Sequence, residues 1–366
     1  MRSGCGWNQP PSQDTHYMTE AAPPGKGPTT AQTVDDRVAE YLQRQGLPPL
    51  TTHVERLHGD ASNRCYVRVT RRDGPSVVLA VHPEPFVTDA LPDITVGALF
   101  RRLAIPVPAV IGQAGDLGIL ALEDLGDQTL QGWLRVSEGD PAPLYREAVE
   151  LIAKLQRDGD RHPDTDGAVP YGLAFDTAKL TWELAFFQSE FLRTYRNVRL
   201  APAAAEALRR ELSAIAEELA AEPRVLCHRD YHSRNLMVHR SQLVVIDFQD
   251  ARMGPATYDL VSLLRDCYVD LSPELVAATT AHFLNAVPSE RTPDFARRFD
   301  LMSVQRHLKA LGTFGHQVAV AGRPGFAAYV PRTITHLRRT LHAYPRFDRL
   351  LELLVPHLPE LMSGSS

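Results

Sequence analysis

The chain has 366 residues, 44% of them hydrophobic and 23% charged, with a formal net charge of −5. That is enough apolar material for two domains or one two-lobed unit, and the acidic balance excludes a nucleic-acid binder that works through a basic face. No apolar run reaches the roughly 18 residues that would announce a membrane span.

In chain order, residues 1–31 are rich in Pro, Gly, Ser and Thr, lack the apolar core of a secretory leader, and are expected to form a disordered tail. A small lobe is expected over residues 32–123. "VDDRVAEYLQRQGL" puts Val34, Val38, Tyr41 and Leu42 on one helical face. Val67 and Val69 then alternate with charge, "RDGP" reads as a turn and "SVVLAV" as a buried strand. A helix over Ile94–Leu103 follows, then "IPVPAVIG", whose prolines force an extended path, and the strand "GILALEDLG". Residues 124–127 are the expected joint, and helical patterns dominate residues 128–362. A strand-rich part followed by a helix-rich part gives an α+β chain of two lobes, and the cleft between them is the natural small-molecule site. Cys5, Cys65, Cys227 and Cys267 lie far apart with no C-x-x-C pair, which suggests neither zinc nor disulfides and fits a reducing cytoplasm.

The chemistry concentrates in "LCHRDYHSRNLMVHRSQLVVIDFQD", residues 226–250. "LMV" and "LVVI", joined by "HRSQ", form an expected β-hairpin. Asn235 stands just before its first strand and Asp247 just after its second, so the fold of the hairpin brings them together. Asp230 lies in the loop that enters it. Mg2+ prefers such hard oxygen ligands and completes its shell with phosphate oxygens. Asn235 and Asp247 suit that role, which leaves Asp230 to accept a proton from an attacking hydroxyl.

H-R-D-x-x-x-x-N followed by D-F resembles the catalytic loop and metal-binding Asp of protein kinases. Neither G-x-G-x-x-G nor A-P-E is present, and His232 follows Asp230 at +2. The pattern H-x-D-x-H-x-x-N with "IDFQDA" and "GPATYDLVSLLRD" is similar to the aminoglycoside phosphotransferase and choline kinase superfamily. "GDASNRCYVRV", "LALEDLGDQTL", "HRDYHSRNLMV" and "QRHLKALGTF" resemble more closely the bacterial cell-wall amino-sugar kinases, over roughly residues 50–345. The resemblance implies a protein-kinase-like two-lobed fold and ATP and Mg2+ as cofactors. It implies transfer to the anomeric hydroxyl of N-acetylmuramate or N-acetylglucosamine, as in peptidoglycan recycling. Asp230 would be the base, His232 would sit near the transferred group, and Asn235 and Asp247 would hold the metal.

The same resemblance implies that "HGDASNRCYVRV" covers the phosphates, with Gly59 and Ser62 offering backbone N–H groups and Arg64 the nearest cation. Main-chain groups of Glu123 to Leu125 would hold the adenine. Asp259 reads as a helix N-cap or, by the resemblance, as support for the catalytic loop. The usual strand lysine is missing: Lys26, Lys154, Lys179 and Lys309 are the only lysines, and none lies in "SVVLAV". Arg64 and Arg68 are candidates to offset triphosphate charge. For the acceptor, Glu183 and Glu190 lie seven apart on one side of a helix, Asp250 follows the hairpin, and Arg306 and His307 offer a cation that could meet a substrate carboxylate. Two other readings stand beside this one: another small-molecule alcohol kinase, such as an aminoglycoside phosphotransferase, and a catalytically inactive nucleotide-binding regulator.

Overall fold

The computed structural model describes residues 32–47, 52–57, 64–72, 74–159 and 169–362. The expected tail, Gly59 and Ser62 lie outside the described residues.

The small lobe begins with α1 (Val34–Arg44), opened by Thr33, whose side chain accepts from the Asp36 N–H while the Asp36 carboxylate accepts from the Thr33 N–H. This reciprocal cap satisfies two of the donors that a helix start leaves open. Val38, Tyr41 and Leu42 of α1 pack onto one face of an antiparallel sheet and join a core of Val67, Val69, Leu79 and Ile119. The strands are β1 (Thr52–Leu57), β2 (Cys65–Arg71), β3 (Val77–Val81), β4 (Val110–Ala114) and β5 (Ile119–Glu123), in the order β1-β2-β3-β5-β4. α2 (Pro92–Arg102) starts with Pro at its first position, where a missing N–H costs nothing. Its Leu99 and Phe100 reach into the core of the large lobe.

The large lobe is helical: α3 (Leu130–Val136), α4 (Ala142–Gly159), the single turn α5 (Val169–Gly172), α6 (Thr177–Phe186), α7 (Pro202–Ala220), α8 (Thr257–Leu264), α9 (Pro273–Ala286), α10 (Phe295–Ala319), α11 (Val330–Leu341) and α12 (Asp348–Leu354). α6 runs on as a π-helical stretch over Phe187–Tyr195. Two small ribbons lie in this lobe, β6 (Arg224–Cys227) with β9 (Arg252–Pro255) and β7 (Leu236–His239) with β8 (Gln242–Val245).

The β7–β8 hairpin is tighter than the sequence suggests. His239 pairs with Gln242, so the connection is Arg240 and Ser241 alone, both with positive φ (50° and 64°). A two-residue turn of that kind matches the twist of its strands, and no glycine marks it, which is why a longer link was expected. The hairpin docks beneath the joint: Val238 N–H donates to Gln128 O at 2.7 Å, and the His239 ring meets Leu125 O at 3.1 Å.

Candidate active site

Between the lobes lies a cleft of about 930 Å3. Val78, Leu120, Leu122, Met237 and Ile246 give it apolar walls beside the joint, and Asp230, Asn235 and Asp247 stand at its centre.

Buried carboxylates fix the loop that carries Asp230. Asp259 of α8 accepts from the N–H groups of His228 (2.6 Å) and Arg229 (3.0 Å), and Asp266 accepts from Ser233 N–H (2.9 Å). Burial pushes the Asp259 carboxyl up, while His228 and the two N–H donors pull against it. The sequence left open whether Asp259 caps a helix; its side chain braces the loop that carries Asp230. Arg229 is held at φ 87° and Asp247 at φ 62°, conformations that a non-glycine residue keeps only where the surroundings enforce them.

The hairpin does bring Asn235 and Asp247 together. Asn235 Nδ2 donates to Asp230 O at 2.9 Å and reaches Asp247 Oδ2 at 3.3 Å. The side-chain oxygen of Asn235 and the half-exposed carboxylate of Asp247 make a small set of hard oxygen donors. Among the described residues, no group of three or more His, Cys, Asp or Glu gathers as a metal site. Two protein oxygens with room for phosphate ligands is nonetheless the pattern that Mg2+ uses.

Asp230 meets three cations: Lys309 Nζ at 3.2 Å, Arg229 Nε at 3.6 Å and an Arg306 nitrogen at 3.9 Å. Burial alone would raise its carboxyl. Lys309, Arg229 and Arg306 together overcome that and hold it well below the usual range. His232, which also lines the cleft, has its pKa pushed down to about 3 by burial, so its ring is neutral near pH 7.

On the nucleotide side, Arg64 bridges Asp93 of α2 and Asp247, the latter at 3.3 Å. His82 follows the end of β3. Burial pushes its pKa down, and its Nε2 is buried without a hydrogen-bond partner among the described residues. Arg68, the other candidate for phosphate charge, is committed elsewhere. It donates to both oxygens of Asp124 (2.8 and 3.0 Å) and both of Asp127 (2.8 and 3.1 Å), which ties β2 to the joint. Glu123 and Leu125 line the cleft. Glu123 N–H donates to Ala109 O within the lobe.

The acceptor candidates divide. Asp250 lies at the cleft edge, 3.0 Å from an Arg229 nitrogen. Arg306 lines the cleft but donates to Arg229 O (3.1 Å) and Tyr258 OH (2.7 Å), with its guanidinium 4.5 Å from the Tyr258 ring centre. It braces the loop from below. Glu183 does not face the cleft: it is 1% exposed and accepts from Gln305 Nε2 at 2.8 Å. Glu190 pairs with His316 at 3.1 Å. The two acids share a side, as their spacing implied, but α10 covers that side. His307 is buried, with its ring nitrogens against Arg265 O and the Ser303 hydroxyl. Lys309, which sequence reading passed over, is the cation nearest the Asp230 carboxylate. Its only sequence signal was its place in "QRHLKALG", one helical turn after Arg306.

Residues 53–298 match the APH phosphotransferase enzyme family. The chain is 32% identical to an N-acetylmuramate/N-acetylglucosamine kinase of Neisseria meningitidis, over 81% of this chain and 88% of that protein. It is 33% identical to a kinase of the same name from Pseudomonas aeruginosa, over 81% of this chain and 86% of that one. The ADP-bound crystal structure of an aminoglycoside phosphotransferase shares the fold at 14% identity, with a TM-score of 0.51 over 84% of this chain and 99% of that one. The matched segment takes in the sheet, the joint and the hairpin that carries Asp247, and the chain belongs to the APH phosphotransferase enzyme family.

Proposed function

We propose that this chain transfers the γ-phosphoryl group of ATP to the anomeric hydroxyl of an N-acetylated amino sugar, N-acetylmuramate or N-acetylglucosamine, giving the sugar 1-phosphate. The setting we propose is the cytoplasm, in peptidoglycan recycling. The observation that carries the reading is Asp230 standing in one cleft with the Asn235–Asp247 oxygen pair, in a chain that aligns over 81% of its length with kinases named for those sugars.

Asp230 accepts the hydroxyl proton and orients the oxygen for in-line attack. Because its neighbours keep it ionised, it serves as base across the neutral range. His232, neutral, is a hydrogen-bonding partner for the acceptor rather than an acid. Asn235 and Asp247 are the residues that would hold Mg2+, which when bound would offset the negative charge of the transferred phosphoryl group. Arg64, kept charged by Asp93 and Asp247 despite burial, takes the electrostatic part that a strand lysine plays elsewhere. The adenine lies against Val78, Leu122, Met237 and Ile246, with main-chain groups of Glu123 to Leu125 at its edge.

Charge separates the substrate classes. A polycationic aminoglycoside needs a surplus of carboxylates around the acceptor, whereas around Asp230 stand the cations Arg229, Arg306 and Lys309, a balance that suits an acidic or neutral sugar. The test is ADP release with N-acetylmuramate, N-acetylglucosamine, kanamycin and choline offered in turn. Turnover of the two amino sugars is expected. Turnover of kanamycin or choline with none on either sugar would overturn the substrate, and no ADP release with any acceptor would leave only a nucleotide-binding protein.

A further inference from the structure

Asp250 is a second carboxylate in the cleft, and one of its oxygens is open. Its side chain is 48% exposed and lines the same cleft as Asp230. Oδ2 faces Arg229 Nη1 at 3.0 Å, and Gln249 Nε2 reaches it at 3.5 Å. Oδ1 accepts no hydrogen bond among the described residues; the cation beside it, Arg252 Nη2, stands off at 3.8 Å. The backbone here is fixed, with Ala251 N–H donating to Phe248 O at 3.0 Å and Arg252 Nε donating to Asp250 O at 3.1 Å.

A single guanidinium ties this carboxylate to the base. Arg229 meets Asp250 through Nη1 at 3.0 Å and Asp230 through Nε at 3.6 Å. Arg306 in turn donates to Arg229 O at 3.1 Å. An acceptor whose reacting hydroxyl sits on Asp230 therefore has its neighbouring atoms beside Asp250. A carboxylate paired with arginine only accepts hydrogen bonds, so its open oxygen calls for a donor on the acceptor, not for a phosphate. Which donor follows from the two sugars proposed above. Reaction at the anomeric oxygen puts carbon 2 next door, where both carry an acetamido N–H. The hydroxyl at carbon 3 is a donor in N-acetylglucosamine alone, because N-acetylmuramate carries its lactyl ether there. The shared donor nearest the reacting oxygen is the amide N–H.

We infer that Asp250 accepts the acetamido N–H of the acceptor and so sets the demand for a donor at carbon 2. The inference rests on the amino-sugar reading. The experiment compares kcat/KM for N-acetylglucosamine and its 2-acetonyl analogue, in which CH2 replaces the amide N–H, in the wild type, Asp250→Asn and Asp250→Ala. The ratio taken within each protein cancels any general damage that a variant suffers. The wild type should lose about tenfold or more on the analogue, because a hydrogen bond to a charged group goes unmade. The penalty should shrink in Asp250→Asn, whose amide oxygen still accepts, and fall below about twofold in Asp250→Ala. An equal penalty in wild type and Asp250→Ala removes Asp250 from the acceptor, and a raised Mg2+ requirement alongside it assigns the residue to the metal instead. Should Asp250→Ala not fold, an undiminished penalty in Asp250→Asn overturns the inference, as does a wild type that uses both acceptors equally. A wild type active on neither N-acetylglucosamine nor N-acetylmuramate withdraws the amino-sugar reading and the role of Asp250 together, whereas activity on both with an undiminished penalty withdraws that role alone.

Discussion

Asp230 must be charged to act as a base, yet it stands where burial favours the neutral acid. Lys309, at 3.2 Å, is its nearest cation, with Arg229 and Arg306 behind it. In Lys309→Met the burial remains and the largest opposing charge disappears. The Asp230 carboxyl then rises, protonation disables the base at higher pH, and the acid limb of the kcat/KM profile moves upward. The wild type, its carboxyl well below the usual range, should stay flat through mildly acidic pH. A pH–rate profile of both proteins checks this, and a limb that does not move assigns Lys309 some other task. The contact joins residues 79 apart, so no local pattern could reveal it. The Asn235–Asp247 approach, by contrast, was legible because a hairpin of two short apolar runs leaves its flanking residues few other places to go.

At the scale of elements, α10 decides what the acid-bearing helix can do. Gly312 and Gly315 let α10 approach the π-helical stretch so closely that a Cβ on Gly315 would lie 2.7 Å from Glu190 O and 2.9 Å from Phe191 Cα. Both are backbone atoms, which cannot turn aside. Gly315→Ala gains up to about 1 kcal/mol of helix propensity but meets an overpacking cost of about 1–3 kcal/mol. The packing term should win, with a lower urea midpoint at unchanged slope. An equal or higher midpoint would show that the contact yields. The same docking explains Glu183 and Glu190. Their spacing placed them on one side of a helix, and the sequence could not say that this side faces Gln305 and His316 rather than a sugar.

At the scale of the whole molecule, the two lobes are linked by charge as well as by chain. Arg64 reaches Asp247 across 183 residues, and Arg68 holds Asp124 and Asp127 at the joint. The α+β two-lobed class followed from a strand-rich part preceding a helix-rich part. The place of Arg64 did not, because it reaches Asp247 from the start of β2 and is positioned by Asp93 on α2. These parts converge on one claim, transfer of a phosphoryl group to the anomeric oxygen of an N-acetyl amino sugar. Phosphorus NMR of the product formed from ATP, Mg2+ and N-acetylmuramate tests it most directly. The account predicts a phosphorus signal coupled to the anomeric proton, labile to mild acid, and absent with Asp230→Asn. An acid-stable ester coupled to another sugar position, or no phosphorylated sugar at all, would contradict it.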